Sequence, residues 1–222
     1  MESIFSFLRD LAAHNNREWF GENKKRYQQS LDRFRVFVAE VLGGITLFDP
    51  SLRLIEAKDT IFRIYKDTRF SKDKTPYKTN FGCWMSGGGR RSADAGYYFH
   101  LEPDGCFMAA GVWMPPAGQL QLIRQEIIFD PVAFSKVFHD QWINQNYERT
   151  GAEDKLKKGP AGFPKDFELL DELKYKHYVF SKNYSDMEVV RGDFPQKLVE
   201  DYRGLFPVVH YLNQAMSYTG NE

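Results

Sequence analysis

Residues 96–114 read Gly-Tyr-Tyr-Phe-His-Leu-Glu-Pro-Asp-Gly-Cys-Phe-Met-Ala-Ala-Gly-Val-Trp-Met, and this stretch decides the fold class. Two apolar runs, 96–102 and 106–114, flank the turn residues 103–105. Apolar runs around a Pro-Asp-Gly turn are typical of a β-hairpin, because glycine readily takes the positive φ that such a turn needs. We therefore predict an antiparallel pair of strands here.

On both sides of this hairpin, apolar residues recur with the helical period in some segments and with the strand period of two in others. Further strands are predicted at 60–65, 79–86 and 175–181. Helices are predicted at 4–11, from Arg17 to the Gly43-Gly44 pair, at 120–128, at 131–138 and at 194–216, where apolar residues recur at threes and fours. The pattern predicts an α+β fold, with a central antiparallel or mixed sheet and helices from both chain ends packed around it.

The domain organisation follows from the same pattern. The 222 residues contain no internal repeat and no low-complexity linker. We expect a single domain over 1–222, with N-terminal helices in 1–50, a sheet region in 51–115, and helices with one further strand in 116–222.

The overall charge argues against one class of function. The chain has 30 basic and 30 acidic side chains and no net charge. A general nucleic-acid binder usually has a basic excess, because phosphate contacts supply its affinity. Nucleic acid is therefore an unfavoured partner.

Cysteine usage and hydropathy indicate a cytoplasmic protein. Cys83 and Cys106 match no metal-binding spacing, and we expect two reduced, buried thiols. No signal peptide is evident at the start of the sequence, and no run approaches the roughly 18 apolar residues of a membrane span. We expect no membrane partner, and the sequence gives no information on the oligomeric state.

A basic segment, residues 58–78, is the strongest candidate site. It has seven basic and three acidic side chains, a local excess of four positive charges in a neutral chain. Such an excess attracts phosphate or carboxylate groups, and arginine can bind an oxyanion through two hydrogen bonds. We predict that a small anionic ligand binds here, through Arg63, Lys66, Arg69, Lys72, Tyr77 and Lys78.

An alternative interpretation of this segment stays open. The basic residues can instead pair with Asp67 and Asp73 on a solvated loop, where exposed ion pairs contribute little. Hydroxyl groups of Thr68, Ser71 and Thr75 add possible hydrogen-bond donors to either arrangement.

His100 and Asp67 are the candidate acid–base groups. His100 and Glu102 are two residues apart on a predicted strand, so their side chains leave the same face together with that of Tyr98. A histidine–carboxylate pair can transfer protons, although a solvent-facing sheet surface explains the same pattern. His-x-Glu also begins the zinc deaminase signature, but the required Pro-Cys-x-x-Cys is missing. We assign no metal, and the sequence identifies no cofactor.

Two other segments are interpreted structurally. The run Asn15-Asn16-Arg17-Glu18-Trp19-Phe20 predicts a helix cap followed by core aromatics, with a contribution to a site mouth as the alternative. The Gly-Gly-Gly-Arg-Arg run at 87–91 lacks the pattern of a phosphate-binding loop and is interpreted as a flexible connection between strands.

Four blocks of the chain carry a family resemblance. They are 7–20, with its Asn-Asn-Arg-Glu-Trp-Phe; 63–78, which reads Arg-Ile-Tyr-Lys-Asp-Thr-Arg-Phe-Ser-Lys-Asp-Lys-Thr-Pro-Tyr-Lys; 156–163; and 173–176. Together they resemble a widespread, mainly bacterial family of conserved hypothetical proteins, domain of unknown function 2461. The resemblance covers nearly the whole chain and implies a single domain, but it brings no activity, cofactor or catalytic residue with it.

Three functions from different classes remain. The first is binding of a small phosphorylated or otherwise anionic ligand by a protein that is an enzyme or a binding protein. The second is a non-enzymatic protein-interaction module, which would expose an apolar cluster among Phe81, Trp84, Trp113 and Met114. The third is nucleic-acid binding, which predicts strongly salt-dependent retention on DNA or RNA.

Overall fold

The computed structural model describes residues 1–69 and 72–217 of the chain. Its sheet has the strand order β1-β2-β3-β5-β4, and every neighbouring pair is antiparallel. The strands are β1 Phe81–Met85, β2 Gly96–Leu101, β3 Cys106–Val112, β4 Glu148–Thr150 and β5 Tyr178–Tyr184. Together with the helices this architecture confirms the α+β prediction.

Helices occupy the sequence before the sheet and most of the sequence after β3. They are α1 Glu2–Ala13, α2 Arg17–Glu22, α3 Lys24–Ile45, α4 Ala57–Thr60, α5 Ala117–Phe129, α6 Pro131–Phe138, α7 Gln141–Asn146, α8 Leu170–Leu173, α9 Asp186–Val189 and α10 Phe194–Ser217, with a 3₁₀ turn at Pro50–Leu52. No helix within the described residues has both the length and the apolar composition needed to cross a bilayer.

The predicted hairpin is confirmed as β2 and β3, with one difference in its turn. Asp104 has a φ of 61°, whereas Gly105 is not among the residues with positive φ. The amide of Gly105 donates a hydrogen bond to the carbonyl of Glu102 at 3.1 Å. Aspartate tolerates the left-handed region better than most residues, so it takes the role that the sequence suggested for glycine.

One face of the sheet is covered by helices from both ends of the chain. Tyr97, Phe99 and Leu101 of β2 are fully buried on this face. The Phe99 ring lies 5.3 Å from the ring of Phe37 in α3 and 5.8 Å from that of Phe194 in α10. The N-terminal and C-terminal helices therefore share one aromatic core against the sheet, as the sequence predicted.

The helix predicted from Arg17 to Gly43-Gly44 begins at Arg17 as expected, but it is interrupted and its predicted end is wrong. The chain forms two helices, because α2 ends at Glu22 and α3 begins after Asn23. The glycine pair lies inside α3, which continues to Ile45. Burial of the apolar face of α3 outweighs the low helix propensity of glycine.

The strand predicted at 60–65 does not form. Thr60 is the last residue of α4, and only two isolated bridges follow, from Ile61 to Cys83 and from Tyr65 to Tyr77. The alternating pattern of 60–65 reflects these two bridges, the first to the edge of β1 and the second to Tyr77. The short strand β4 was not predicted, so the sequence after residue 116 contributes two strands instead of one.

Both cysteines are unpaired and buried on the helix-covered side of the sheet, as expected from the sequence. Burial raises the pKa of the Cys83 thiol to about 12 and that of the Cys106 thiol to about 11. Neither thiol is therefore a reactive thiolate at neutral pH.

Candidate functional site

The opposite face of the sheet forms a groove with a cavity volume of about 770 Å³. A row of paired residues crosses four strands of its floor: Trp84, Tyr98, Ala109 and Ser181. The side chains of this row are large on β1 and β2 and small on β3 and β5, so they leave a hollow above the centre of the sheet. Side chains alternate between faces along each strand, and the same alternation that builds the core therefore builds this floor.

Gly111 extends the hollow along β3. Its φ is 131°, and a Cβ atom there would lie 2.0 Å from the carbonyl oxygen of Tyr178 on β5. Only glycine combines this backbone conformation with such a close approach. The groove floor thus lacks a side chain at Gly111 for a structural reason.

An apolar wall follows directly after β3. Trp113, Met114, Pro115 and Pro116 all line the groove. The Trp113 ring stacks on the buried His177 ring at a centroid distance of 4.0 Å, which orients it, yet Trp113 remains 54% exposed. This wall offers a flat aromatic surface to a bound molecule.

Two cations, Lys78 and Arg90, lie beside Phe62 at the edge of the groove, and Arg63 is close enough to act on Lys78. We call Arg63, Lys78 and Arg90 the cation cluster. The Lys78 Nζ lies 5.6 Å from the centre of the Phe62 ring, and the Arg90 Cζ lies 5.8 Å from it. Arg90 also donates a hydrogen bond to the carbonyl of Ile61, which fixes its position. Phe62 and Arg90 line the groove directly.

The charges of the cation cluster act on one another. Burial lowers the pKa of Lys78, and the positive charges of Arg63 and Arg90 lower it further. Within residues 1–69 and 72–217, no carboxylate forms an ion pair with any of the three. Asp67 lies near enough for Arg63 to lower its pKa, but its own ion pair is with Arg69. The cluster is therefore a place where a negative charge is stabilised.

The groove is not uniformly basic. Its lining contains Arg90 and Arg91 and also the carboxylates Asp94 and Glu153. The positive field is thus local to the Phe62 end, where Lys78 and Arg63 add to Arg90.

The structure separates the six side chains predicted to bind an anion. Arg63 and Lys78 belong to the cation cluster, whereas Lys66 forms an ion pair with Asp73. Arg69 binds Asp67 through two hydrogen bonds of 2.7 and 3.0 Å. These two pairs follow the alternative interpretation of the segment, in which its charges neutralise one another on a solvated loop.

The other predicted residues lie apart from the groove lining. Lys72 is exposed, and Lys74 donates to the carbonyl of Thr68 at 2.9 Å. Ser71, predicted as a hydroxyl donor, lies outside the described residues, as does Phe70. Tyr77 is buried, and its ring stacks on that of Phe20 at a centroid distance of 3.9 Å. Tyr77 therefore contributes to packing under the segment.

Asn15 joins the N-terminal block to this segment. Its side-chain amide donates to the carbonyl of Tyr77 at 2.9 Å and accepts from the amide of Tyr77 at 3.1 Å. Asn16 caps α2 by accepting from the amide of Trp19 at 2.9 Å. Asn15 thus holds the backbone next to Lys78, while its neighbour has the predicted capping role.

Asp67, one of the two candidate acid–base groups, is poorly suited to that role. Its hydrogen bonds from the Arg69 side chain and backbone lower its pKa to about 2. A carboxylate that stays ionised at neutral pH is a weak proton acceptor, since an efficient base titrates near the working pH.

His100, the other candidate, sits in a hydrogen-bonded chain on the groove side of β2. The Tyr98 hydroxyl lies 2.9 Å from His100 Nδ1, and His100 Nε2 lies 3.0 Å from Glu102 Oε2. Thr79 donates to the other oxygen of Glu102 at 2.6 Å. The prediction that Tyr98, His100 and Glu102 share a face is confirmed, and Tyr98 is the one that lines the groove.

Sequence reasoning missed Arg90 and most of the groove floor. The connection 87–91 was interpreted only as a flexible loop, yet it supplies one member of the cation cluster. The signal for the floor was present in β3, where Ala109 and Gly111 are small at alternate positions opposite the bulky core residues. No signal in the sequence places residue 90 beside Phe62.

The exposed cluster predicted for a protein-interaction module is only partly present. Phe81 is 1% exposed and belongs to the core, so its inclusion was wrong. Trp84 is partly buried in the groove, and Trp113 and Met114 are exposed on its wall. In the described part of the chain, no group of three or more His, Cys, Asp or Glu side chains is arranged to hold a metal ion.

Comparison with known proteins gives a single kind of match. The model of one protein family, described as conserved hypothetical protein (DUF2461), matches residues 3–211. No curated protein and no solved structure matches the chain.

Proposed function

Because the chain belongs to the conserved hypothetical protein family DUF2461, whose description names no activity, we propose a function from the chemistry of the groove. The protein binds a small anionic ligand that has a flat apolar body. The observation that supports this most directly is the cation cluster, three positive side chains, two of them beside Phe62, with no carboxylate partner among the described residues.

The anionic group of the ligand is a phosphate or carboxylate at the Phe62 end of the groove. Lys78 supplies a partly desolvated ammonium, and Arg90 supplies a planar guanidinium suited to two oxygen atoms. The lowered pKa of Lys78 supports this assignment, because a bound anion offsets the charges of Arg63 and Arg90 that cause part of the shift.

The apolar body of the ligand packs on the floor and on the Trp113 wall. Trp84, Tyr98 and Phe107 offer aromatic surfaces, and Ala109 and Ser181 leave room between them. A cavity of about 770 Å³ is in the range of small-molecule sites. Aryl phosphates and related flat anions have both required parts.

The test compares three probes by isothermal titration calorimetry: 1-naphthyl phosphate, 1-naphthol and inorganic phosphate. We expect the naphthyl phosphate to bind more tightly than either part alone. Lys78→Met and Arg90→Gln should each weaken it at least tenfold, the loss expected for a hydrogen bond to a charged group.

A matched control comes from the predicted segment itself. Lys72 is an exposed lysine away from the groove lining, so Lys72→Gln should leave the affinity for 1-naphthyl phosphate unchanged. Equal weakening by Lys72→Gln and Lys78→Met would contradict the cation cluster as the site and would favour a diffuse basic surface. The absence of any probe binding to the unmodified chain would remove the proposal altogether.

A protein-interaction module is the second candidate, and one observation favours it. Trp113 and Met114 are 54% and 69% exposed side by side on the groove wall. A partner peptide would insert an apolar side chain there and place an acidic one at the cation cluster. Trp113→Ala would then abolish capture of the partner, and the unmodified chain would bind the partner but not 1-naphthyl phosphate.

We also propose a cytoplasmic location for this function. The two cysteines are unpaired and buried, the state that a reducing compartment maintains. Fractionation of cells that express the tagged chain tests the location directly.

A further inference from the structure

The hydrogen-bonded chain on β2 has a defined direction of proton donation. A carboxylate can only accept, so the hydrogen atom between His100 and Glu102 belongs to His100 Nε2. In a neutral imidazole the other nitrogen, Nδ1, then carries the lone pair and accepts, and the Asn80 amide nitrogen lies 3.3 Å from it. Tyr98 therefore donates its hydroxyl proton to Nδ1 at 2.9 Å. This is the order hydroxyl, imidazole, carboxylate that activates serine nucleophiles.

The position of the Tyr98 hydroxyl is built into the sheet. It lies over Gly82 of β1, where a Cβ atom would come within 2.8 Å of it. The His100 ring is held flat against Phe107, with a centroid distance of 4.8 Å and an angle of 17° between the planes. Two of the three groups are thus fixed by packing as well as by hydrogen bonds.

Phe62 connects Tyr98 to the cation cluster. The rings of Phe62 and Tyr98 are 6.3 Å apart, and Lys78 and Arg90 lie at similar distances from the same Phe62 ring. Tyr98, Lys78 and Arg90 are thus all neighbours of one ring, and Tyr98 and Arg90 both line the groove.

We propose that Tyr98 is a catalytic nucleophile for phosphoryl transfer from an aryl phosphate ester, with His100 as its general base and Glu102 as a positioning residue. The substrate class rests on the proposed function. Burial raises the pKa of Tyr98 to about 12, with further contributions from Cys83 and Glu102, so the hydroxyl is neutral at physiological pH and needs a base as it reacts.

The covalent step balances without any further reagent. The Tyr98 oxygen forms a bond to phosphorus while the bond from phosphorus to the aryl oxygen breaks. The hydroxyl proton moves to His100 Nδ1, and the aryl oxygen leaves with the bonding electron pair as an aryloxide, which water protonates. Lys78 and Arg90 stabilise the negative charge on the other phosphoryl oxygens.

Covalent labelling tests the nucleophile without a known substrate. The probe is 4-(fluorosulfonyl)benzoate, whose sulfonyl fluoride reacts with tyrosine oxygen and whose carboxylate fits the cation cluster; benzenesulfonyl fluoride is the matched probe without the carboxylate. Peptide mass spectrometry measures the labelling rate of each tyrosine. Tyr65 is 53% exposed, and no hydrogen bond joins it to a histidine in the described part of the chain, so it serves as the internal reference.

We expect both probes to label Tyr98 about 100-fold faster than Tyr65, the usual scale of general base assistance. His100→Gln should remove that advantage, and Tyr98→Phe should remove the adduct while Tyr65 labelling continues. Labelling of Tyr65 but not of Tyr98 in the unmodified chain would overturn the proposal, as would an unchanged Tyr98 rate in His100→Gln.

The pH profile separates a base from a structural support. The titratable groups that act on Tyr98 are Cys83 and Glu102, with Asn80 and Thr79 as neutral neighbours of the hydrogen-bonded chain. In His100→Gln the Tyr98 rate should depend on hydroxide alone and rise continuously into the alkaline range, whereas in the unmodified chain, where His100 takes the proton, it should depend on pH much less steeply. Glu102→Gln should fall between the two, because the imidazole is retained but loses the carboxylate that orients it. An unchanged profile in both variants would refute these roles.

The two proposals fail separately. If the carboxylate probe labels Tyr98 no faster than benzenesulfonyl fluoride, and Lys78→Met alters neither rate, the anion site is wrong while the nucleophile stands. If 1-naphthyl phosphate slows labelling by the carboxylate probe, but the probe labels Tyr98 no faster than Tyr65, the anion site stands and Tyr98 is not the nucleophile.

Discussion

Two neighbouring glycines in α3 differ in what surrounds them. A Cβ atom on Gly43 would meet nothing within 4 Å, whereas one on Gly44 would lie 2.6 Å from Val199 of α10. We predict that Gly43→Ala raises the free energy of unfolding by about 0.5–1 kcal/mol through helix propensity. Gly44→Ala should lower it by about 1–3 kcal/mol, because a stiff, buried valine must move. Urea unfolding of the two variants measures both, and equal effects would contradict the close packing of α3 on α10.

Lys78 should couple ligand binding to proton uptake. Burial and the charges of Arg63 and Arg90 lower its pKa in the free protein, and a bound anion would raise that pKa again. Between the two values binding takes up protons, so affinity falls as the pH rises through this range. Titration calorimetry with 1-naphthyl phosphate at alkaline pH below the ordinary pKa of lysine, in two buffers of different ionisation enthalpy, measures the uptake. Lys78→Met should abolish it, and buffer-independent heats in the unmodified chain would contradict the coupling.

At the scale of elements, a single side-chain amide joins the turn before α2 to the end of the basic segment. Asn15 both donates to and accepts from the backbone of Tyr77. We predict that Asn15→Asp lowers the free energy of unfolding by about 1–3 kcal/mol, because a carboxylate cannot donate and leaves a carbonyl unpaired. Asn16→Asp should change it by less than about 0.5 kcal/mol, since aspartate caps a helix as well as asparagine does. Chemical denaturation distinguishes the pair, and the reverse order would contradict these roles.

The elements themselves were largely predictable because their periods are strong. The apolar runs 96–102 and 106–114 around a turn predicted β2 and β3. Apolar residues spaced three and four apart predicted the last helix, α10. Prediction failed where tertiary pairing decided the outcome. The segment 60–65 alternates like a strand, yet it makes only isolated bridges, and β4 is three residues long and carries too little pattern to detect.

The site was predicted less well than the fold, because charge in sequence does not specify partners in space. The basic residues of 58–78 separate in the structure: Arg63 and Lys78 belong to the cation cluster, whereas Lys66 and Arg69 form ion pairs with Asp73 and Asp67 within the same loop. The shared face of Tyr98, His100 and Glu102 followed from the strand period alone. Arg90 reaches Phe62 from a different connection, and only the folded chain brings them together.

At the scale of the whole molecule, neutrality limits what the cation cluster can do. The net charge is zero, so the molecule as a whole offers a polyanion no net electrostatic attraction. We predict weak retention on DNA-cellulose at low salt and none at about 0.15 M salt. Retention that persists at that ionic strength would favour nucleic-acid binding over binding of a small anion as the function.

The buried thiols give this sheet two built-in reporters. Cys83 lies on the edge strand β1 and Cys106 on the central strand β3, and both are shielded from reagents while the fold is closed. Alkylation of each can proceed only through an opening event, so its rate converts into the free energy of that opening. Comparing the two alkylation rates would show whether the edge strand β1 opens by local unfolding or whether both cysteines become accessible only through global unfolding.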